Sequence, residues 1–305
     1  MIEVVSTKTG FFALRDEWNA LADAAGNPLL RHEFCAACVE AYGHDAELAI
    51  FVARERGTVR AIAPLHIARY LGVRRLETLS RRVNEPTGFL GTDPDALAAL
   101  VTAIVERGLP IFLNRLSLGS PEAQSLQAAL GARSSGFLAH ARAVARVADG
   151  RDVAYVPLPA DFGELEARMS SGRRSFLRRH RKRAEQLGEV VFEAIAPRQD
   201  SVGPHLQEVF RVESSGWKQR TGTGVLANPR TERLYTAYGH AAARLGMLRL
   251  FFLRIGGRAA AVRMAVEHAG RLWEIRIGYD ETFRECSPGI LLTHETLRHA
   301  CQQGL

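Results

Sequence analysis

The chain has 305 residues, 47% of them hydrophobic and 24% charged, which excludes disorder over most of its length and allows a sizeable core in roughly two domains. Its 40 basic and 33 acidic residues leave a net charge of +7, and only Lys8, Lys182 and Lys218 are lysines, so the excess is arginine. Arginine suits phosphate and carboxylate ligands, although charge alone names none. No run approaches the ~18 apolar residues of a membrane span, the opening MIEVVSTKTGFF lacks the pattern of a secretory leader, and four cysteines show no disulfide framework. The expectation is a cytoplasmic protein with no membrane partner.

Residues 2–5 read as a strand, and Phe12 to Ala25 as a helix ending at Gly26-Asn27-Pro28. A second helix spans His32 to Tyr42. Leu48 to Arg54 and Val59 to Arg69 read as strands joined at Arg56-Gly57-Thr58, and Leu76 to Leu79 as a third. Asp95 to Arg107 is a helix capped by Asp93 or Asp95 and stopped by Gly108. Pro110 to Leu116 follows as a buried strand, then Pro121 to Leu130 as a helix. Asp161 to Leu187 reads as helical with a break near Ser170-Ser171-Gly172, Val190 to Ala194 as a strand and His205 to Ser214 as a helix. The stretch from Gly216 to Asn228, with Thr221-Gly222-Thr223-Gly224, reads as a mobile or ligand-contacting loop. Arg230 to Leu245 is a helix. Three strands follow (Leu248 to Ile255, Ala259 to Glu267, Leu272 to Gly278), then a helix from Pro288 to Gln303. The two halves share a similar order of elements without visible identity.

The most informative stretch is LWEIRIGYDETFRECSPGILLTHETLRHA. Ser287 stands as an N-cap, Pro288 suits the first helical position, and Gly289 leaves room for close approach. Such an opening is either an anion site, with backbone N–H groups and the positive dipole end facing the ligand, or an ordinary capped helix. Strict alternation in the strand before it puts Trp273, Ile275 and Ile277 on one face and Glu274 and Arg276 on the other. Residues 173–183, RRSFLRRHRKR, hold seven bases and no acid, with Phe176, Leu177, Ala184 and Leu187 as an apolar stripe. That helix is either a solvated face or a surface for a polyanion through Arg178, Arg179 and Arg181. Cys35 and Cys38 near His32 have zinc-like spacing without a second pair, and read as core residues. His294, Glu295 and His299 miss the metalloprotease spacing. No metal site is expected.

The runs Ile277-Gly-Tyr-Asp280 and Ser287-Pro-Gly-Ile-Leu-Leu292 resemble the core motif of the GNAT superfamily of N-acetyltransferases. Three other segments resemble its FemAB-like branch, the group of cellulose-biosynthesis-type acetyltransferases. They are Ser215-Gly-Trp217-Lys218 followed by Gly222-Thr223, Ser171-Gly172 followed by Leu177-Arg178-Arg179 and Ala184 to Gly188, and Ala63-Pro64-Leu65. The resemblance implies an α/β fold of two tandem GNAT-like domains, residues 1–150 and 151–305, each a mixed central sheet flanked by helices. It implies an acetyl-CoA or other acyl-CoA co-substrate and no metal, with the donor held by Arg276, Ile277, Gly278, Ser287, Pro288, Gly289, Ile290 and Leu291. Cys286-Ser287-Pro288-Gly289 carries one glycine where the superfamily usually has Gly-x-Gly. Family chains also continue past the position of Gln303-Gly304-Leu305, so the second domain reads as short at its C-terminus.

Acyl transfer to an amine needs a base for the amine, stabilisation of the developing oxyanion and a proton for the leaving group. Glu274 and Glu213 are the candidates for the base, Tyr279 for the acid, Asp280 for orienting the amine and Lys218 for meeting developing charge. Glu213, Trp217 and Asn84 are candidates for acceptor contacts. The expected function is transfer of an acyl group from acyl-CoA to the amine of a small molecule, sugar or peptide. The alternatives are aminoacyl transfer from a charged tRNA, with tRNA or an acyl carrier protein meeting the basic helix 173–183, and a non-catalytic binding protein of the same fold.

Overall fold

The computed structural model describes residues 1–43, 47–80, 83, 88–117, 119–134 and 153–305. Asn84 lies outside them. The chain divides into two compact units, Met1–Val153 and Ala154–Leu305.

The first unit opens with β1 (Ile2–Val5), α1 (Lys8–Ala13), α2 (Arg15–Ala25) and α3 (His32–Tyr42). The helix expected over Phe12 to Ala25 is two helices. Thr7 caps the first by accepting from the Gly10 N–H, and the chain turns at Leu14, so that Phe11 and Trp18 are both wholly buried. A hairpin of β2 (Glu47–Glu55) and β3 (Thr58–Tyr70) continues into β4 (Val73–Thr78) through Leu71-Gly72. After β5 (Leu90–Gly91), α4 (Pro94–Glu106) starts at an Asp93 cap with Pro94 in its first turn, as its sequence predicts, and buries Leu97, Leu100, Val101 and Ile104. The buried strand expected over Pro110 to Leu116 is only β6 (Ile111–Phe112), since β4 pairs with it at Leu76 and Glu77 alone, and Phe112 is exposed. The unit closes its described part with α5 (Pro121–Ser134). Its sheet runs β1-β2-β3-β4-β6, with β5 on β3, and only the β4–β6 pair is parallel.

The second unit holds α6 (Phe162–Arg168), α7 (Ser171–Leu187), β7 (Val190–Ile195), α8 (Val202–Glu213), α9 (Trp217–Thr221) and α10 (Pro229–Arg244). Then come β8 (Leu248–Ile255), β9 (Arg258–His268), β10 (Arg271–Tyr279) and α11 (Pro288–Gln302). The stretch read as a loop from Gly216 to Asn228 contains α9 and a 3-10 turn at Val225–Ala227. The four strands order as β10-β9-β8-β7, antiparallel throughout, where a mixed sheet was expected, because tight turns join β8 to β9 and β9 to β10. One face packs Phe251, Leu253, Ala261 and Ala265 against Leu177 and Ala184 of α7 and Leu291 and Leu292 of α11. The opposite face lies against α8 and α10, which bury Leu206, Phe210, Leu234 and Tyr235. β10 is an edge strand, and a 3-10 turn (Glu281–Cys286) joins it to α11.

Among the described residues no helix is long and apolar enough to cross a membrane.

Candidate active site

A bulge in β10 decides what this edge strand presents. Its pairing with β9 runs Trp273 to Val266 and Glu274 to Ala265, then resumes at Arg276 to Met264, Ile277 to Arg263, Gly278 to Val262 and Tyr279 to Ala261. Register partners share a face, so the extra residue, Ile275, moves everything after it to the opposite side. Arg276 and Gly278 therefore share a face with Trp273, and Glu274 shares one with Ile277 and Tyr279. That corrects the alternation expected from the sequence, and no glycine or proline in WEIRI marks the bulge.

On the α8 side the chemistry is closed. Glu213, 1% exposed at the end of α8, accepts from Lys218 Nζ at 2.7 Å, the Val225 N–H at 2.8 Å and the Ser214 hydroxyl at 3.2 Å. The second donor bond of Lys218 goes to the Ile277 carbonyl at 2.6 Å, and the Ser215 hydroxyl bridges the carbonyls of Val212 and Tyr279 at 2.7 and 3.2 Å. Two outward carbonyls of β10 are thus already occupied by the α8–α9 corner. Gly278 permits this approach, since a Cβ there would lie 2.4 Å from Glu213 Cα. The Arg276 guanidinium stacks on Tyr235 at 4.2 Å, and its Nη1 is 3.9 Å from Glu213 Oε1. A wholly buried carboxylate with two cations and two further donors around it serves as a structural anchor for this corner.

On the α11 side the arrangement is open. Glu274, its side chain 41% exposed, pairs with the buried Arg263, which also donates to Thr293, and Thr293 in turn donates to the Gly289 carbonyl at 2.8 Å. Burial pulls the Arg263 guanidinium down to about 10, so it still carries its charge at neutral pH. Ile277, 48% exposed, lies between Glu274 and Tyr279 on the same face. Tyr279 borders the start of α11, with its ring 3.8 Å from where a Gly289 Cβ would stand. A strand rises about 3.3 Å per residue, so Tyr279 and Glu274 are separated by roughly 15 Å along β10. Tyr279 thus stands at the α11 end of that face.

The start of α11 differs from the expected cap. Ser287 is at φ 47°, in the left-handed region, and its hydroxyl makes no capping bond. Its carbonyl instead accepts from the N–H groups of both Ile290 and Leu291 at 3.0 and 3.2 Å. Pro288 has no N–H and is buried, and Leu291 is a core residue. Among the described residues this leaves the Gly289 N–H as the first-turn donor without an acceptor, so Ile290 and Leu291 offer an anion nothing through their own N–H groups.

The remaining candidates are committed locally. Asp280 caps the 3-10 turn Glu281–Cys286 through Thr282 and pairs with Arg258 at 3.0 Å. Burial pushes its carboxyl up, but these donors together hold it below its ordinary value. Trp217 is half-exposed, and its N–H donates to Glu281, which also receives both Arg220 Nη groups at 2.8 and 3.0 Å. In α7, Arg174 donates to the Glu166 and Met169 carbonyls, and Arg181 pairs with Glu185 and Glu295, which takes it out of the expected polyanion set. Arg178, Arg179, Lys182 and Arg183 stay exposed without an acidic partner among the described residues. His180 and Arg183 reach the Glu285 carbonyl at 3.1 and 3.5 Å, so α7 abuts the turn that leads into α11. The thiols of Cys35 and Cys38 are buried, and burial raises that of Cys35 to about 12.

Residues 171–305 match the acetyltransferase (GNAT) domain family. That match covers less than half of the chain, all of it in the second unit. FemX shares the fold over 99% of this chain and 86% of its own, at 12% identity and a TM-score of 0.57. A conserved protein of unknown function from Bacteroides thetaiotaomicron covers 98% of this chain and 86% of its own, at 14% identity and a TM-score of 0.54. Both likenesses show the fold alone, and the match over residues 171–305 agrees with the GNAT resemblance of the sequence. No curated protein matches. The GNAT domain contains the whole bulged strand, α11 and the Glu213 corner. Sequence reasoning missed Arg263 and Tyr235. Arg263 had a signal: it is the one charged residue in the AAAVRMAV stretch of β9. Tyr235, inside an amphipathic helix, had none.

Proposed function

We propose that the GNAT domain transfers an acyl group from a coenzyme A thioester to a primary amine, with the donor lying along the Tyr279–Ile277–Glu274 face of β10. The observation that carries this reading is the bulge, because it puts an anion donor, an apolar platform and a half-exposed carboxylate on one side of one strand. The residues at the start of α11 fit a pyrophosphate through the Gly289 backbone donor and the uncommitted Ser287 hydroxyl. Half-exposed Ile277 supports an apolar arm, and the thioester then falls near Glu274. Glu274 takes the proton of the amine, directly or through water, while Arg263 fixes the carboxylate. Lys218 and Glu213 hold the strand from its other side, and Asp280 holds the turn after it, without touching the reacting atoms.

Thiol release from acetyl-CoA across a panel of amines tests the reading. Glu274→Gln keeps a hydrogen-bond acceptor for Arg263, and it is expected to lower kcat by about 10²-fold or more with donor affinity unchanged. Unaltered kcat would move the base elsewhere. A second reading is favoured by α7, whose Arg178, Arg179, Lys182 and Arg183 form a basic surface beside the turn into α11. There the donor is borne on a tRNA or an acidic carrier protein. Steeply salt-dependent tRNA binding without coenzyme A affinity would select it.

A further inference from the structure

We propose that the tip of the β3–β4 hairpin in the N-terminal unit is an anchor for an anionic lipid surface. Four strand connections of the chain turn through two residues at positive φ: Arg56-Gly57, Leu71-Gly72, Gly256-Gly257 and Ala269-Gly270. This form favours Asn, Asp or Gly at its first position, because other side chains crowd the backbone there. A large aliphatic side chain stands in that position only at Leu71, with φ 50° and 87% of its surface exposed. Its neighbours Tyr70 and Val73, register partners at the hairpin end, are each 54% exposed, and Phe112 of β6 extends the apolar surface beside them. Strain and exposure at one apolar residue have no folding rationale, since nothing among the described residues packs on it.

The charge beneath the tip says what covers it. Arg69 and Arg74 stand directly opposite each other on the two strands, an arrangement that like charges disfavour unless an anion lies between or beside them. Arg74 reaches Glu47 at 3.1 Å, whereas exposed Arg69 has no acidic partner among the described residues. On the other face Arg75 is held between the rings of Tyr70 and Phe112 at 4.3 and 5.0 Å and pairs with Glu77, which stiffens the tip. An apolar apex above an arginine collar matches a lipid interface, where Leu71, Tyr70 and Val73 enter the acyl boundary and the guanidinium groups meet headgroup phosphates. A convex two-strand tip exposes far less than the roughly 800 Å² per partner of a stable protein interface, which argues against a protein occupant. The lack of a spanning run bears on crossing a bilayer and is silent on a surface anchor.

Co-sedimentation of the full chain with phosphatidylglycerol–phosphatidylcholine vesicles at low salt tests the proposal, with pure phosphatidylcholine vesicles as comparison. Binding is expected on the anionic vesicles alone. Leu71→Asn removes the apolar apex while suiting the turn, so it is expected to weaken vesicle binding roughly tenfold while the Tm stays level or rises. Arg69→Glu with Arg74→Glu is expected to abolish the remainder. Vesicle binding undiminished by Leu71→Asn, no binding by the unmodified protein, or self-association that depends on Leu71 in sedimentation velocity would each overturn it.

Discussion

The two carboxylates that flank β10 differ in almost every physical respect. Glu213 is sealed beneath the strand, with four donors or cations around it and backbone packed on both sides. Glu274 stands on the opposite face, half in solvent, with one buried arginine behind it. The sequence offers both as candidates for a base, yet burial commits one to architecture and the other keeps its access to solvent. The bulge at Ile275 puts Arg276 and Gly278 on the sealed side and Ile277 and Tyr279 on the side of Glu274.

The sealed face is where a substitution should do most damage. Glu213→Ala leaves Lys218 and the Val225 N–H without their acceptor, and urea denaturation should show a loss of about 3–5 kcal/mol. A midpoint equal to wild type would show that the corner is dispensable. Gly278→Ala comes next, because its Cβ meets the Glu213 backbone at 2.4 Å. The overpacking is expected to cost about 1–3 kcal/mol, again read from the urea midpoint.

The open face should respond in ligand binding instead of stability. Ile277→Asp puts a charge on the apolar platform, and donor affinity is expected to fall roughly tenfold while the Tm is unchanged, because an exposed aliphatic contact of this size is worth about 1–2 kcal/mol. An equal loss of Tm would mean that Ile277 belongs to the core. The smallest effect concerns acid. The bidentate bond from Arg254 holds Glu208, on the sealed side, below its ordinary value near 4.5, with burial acting against it. A lowered folded value stabilises above the unfolded one and is lost as pH falls through it, so wild type should lose its advantage over Glu208→Gln between about pH 5 and pH 3. A constant difference across that range would show that the pair contributes nothing through its charge.

Most element boundaries were legible because apolar period and punctuation agreed: Asp93-Pro94 opens α4, Asn228-Pro229 opens α10, and glycines at Gly57 and at Gly256-Gly257 mark hairpin turns. The identity of the motif-bearing strand and helix was legible for the same reason. The site inside them was less so. A bulge without glycine leaves no trace in an alternating pattern, so Arg276 and Glu274 were assigned to one face when they occupy two. Ser287 has the residue type of a cap and stands at the N-cap, but its backbone is left-handed and its hydroxyl makes no capping bond. The segment after Gly216 looked like a loop because its glycines hide a short helix held by Glu281, more than 60 residues away in the chain.

The central claim is that the start of α11 holds the donor's phosphates at Gly289, on the open face of β10. Its most direct test is calorimetric titration of coenzyme A and acetyl-CoA into the unmodified protein, Gly289→Ala and Gly289→Asp. A Cβ at Gly289 meets only the Tyr279 ring at an ordinary 3.8 Å, so alanine is tolerated and aspartate adds charge without a clash. The account predicts comparable micromolar binding by the first two and none by the third; indistinguishable binding by all three, or none by the unmodified protein, would contradict it.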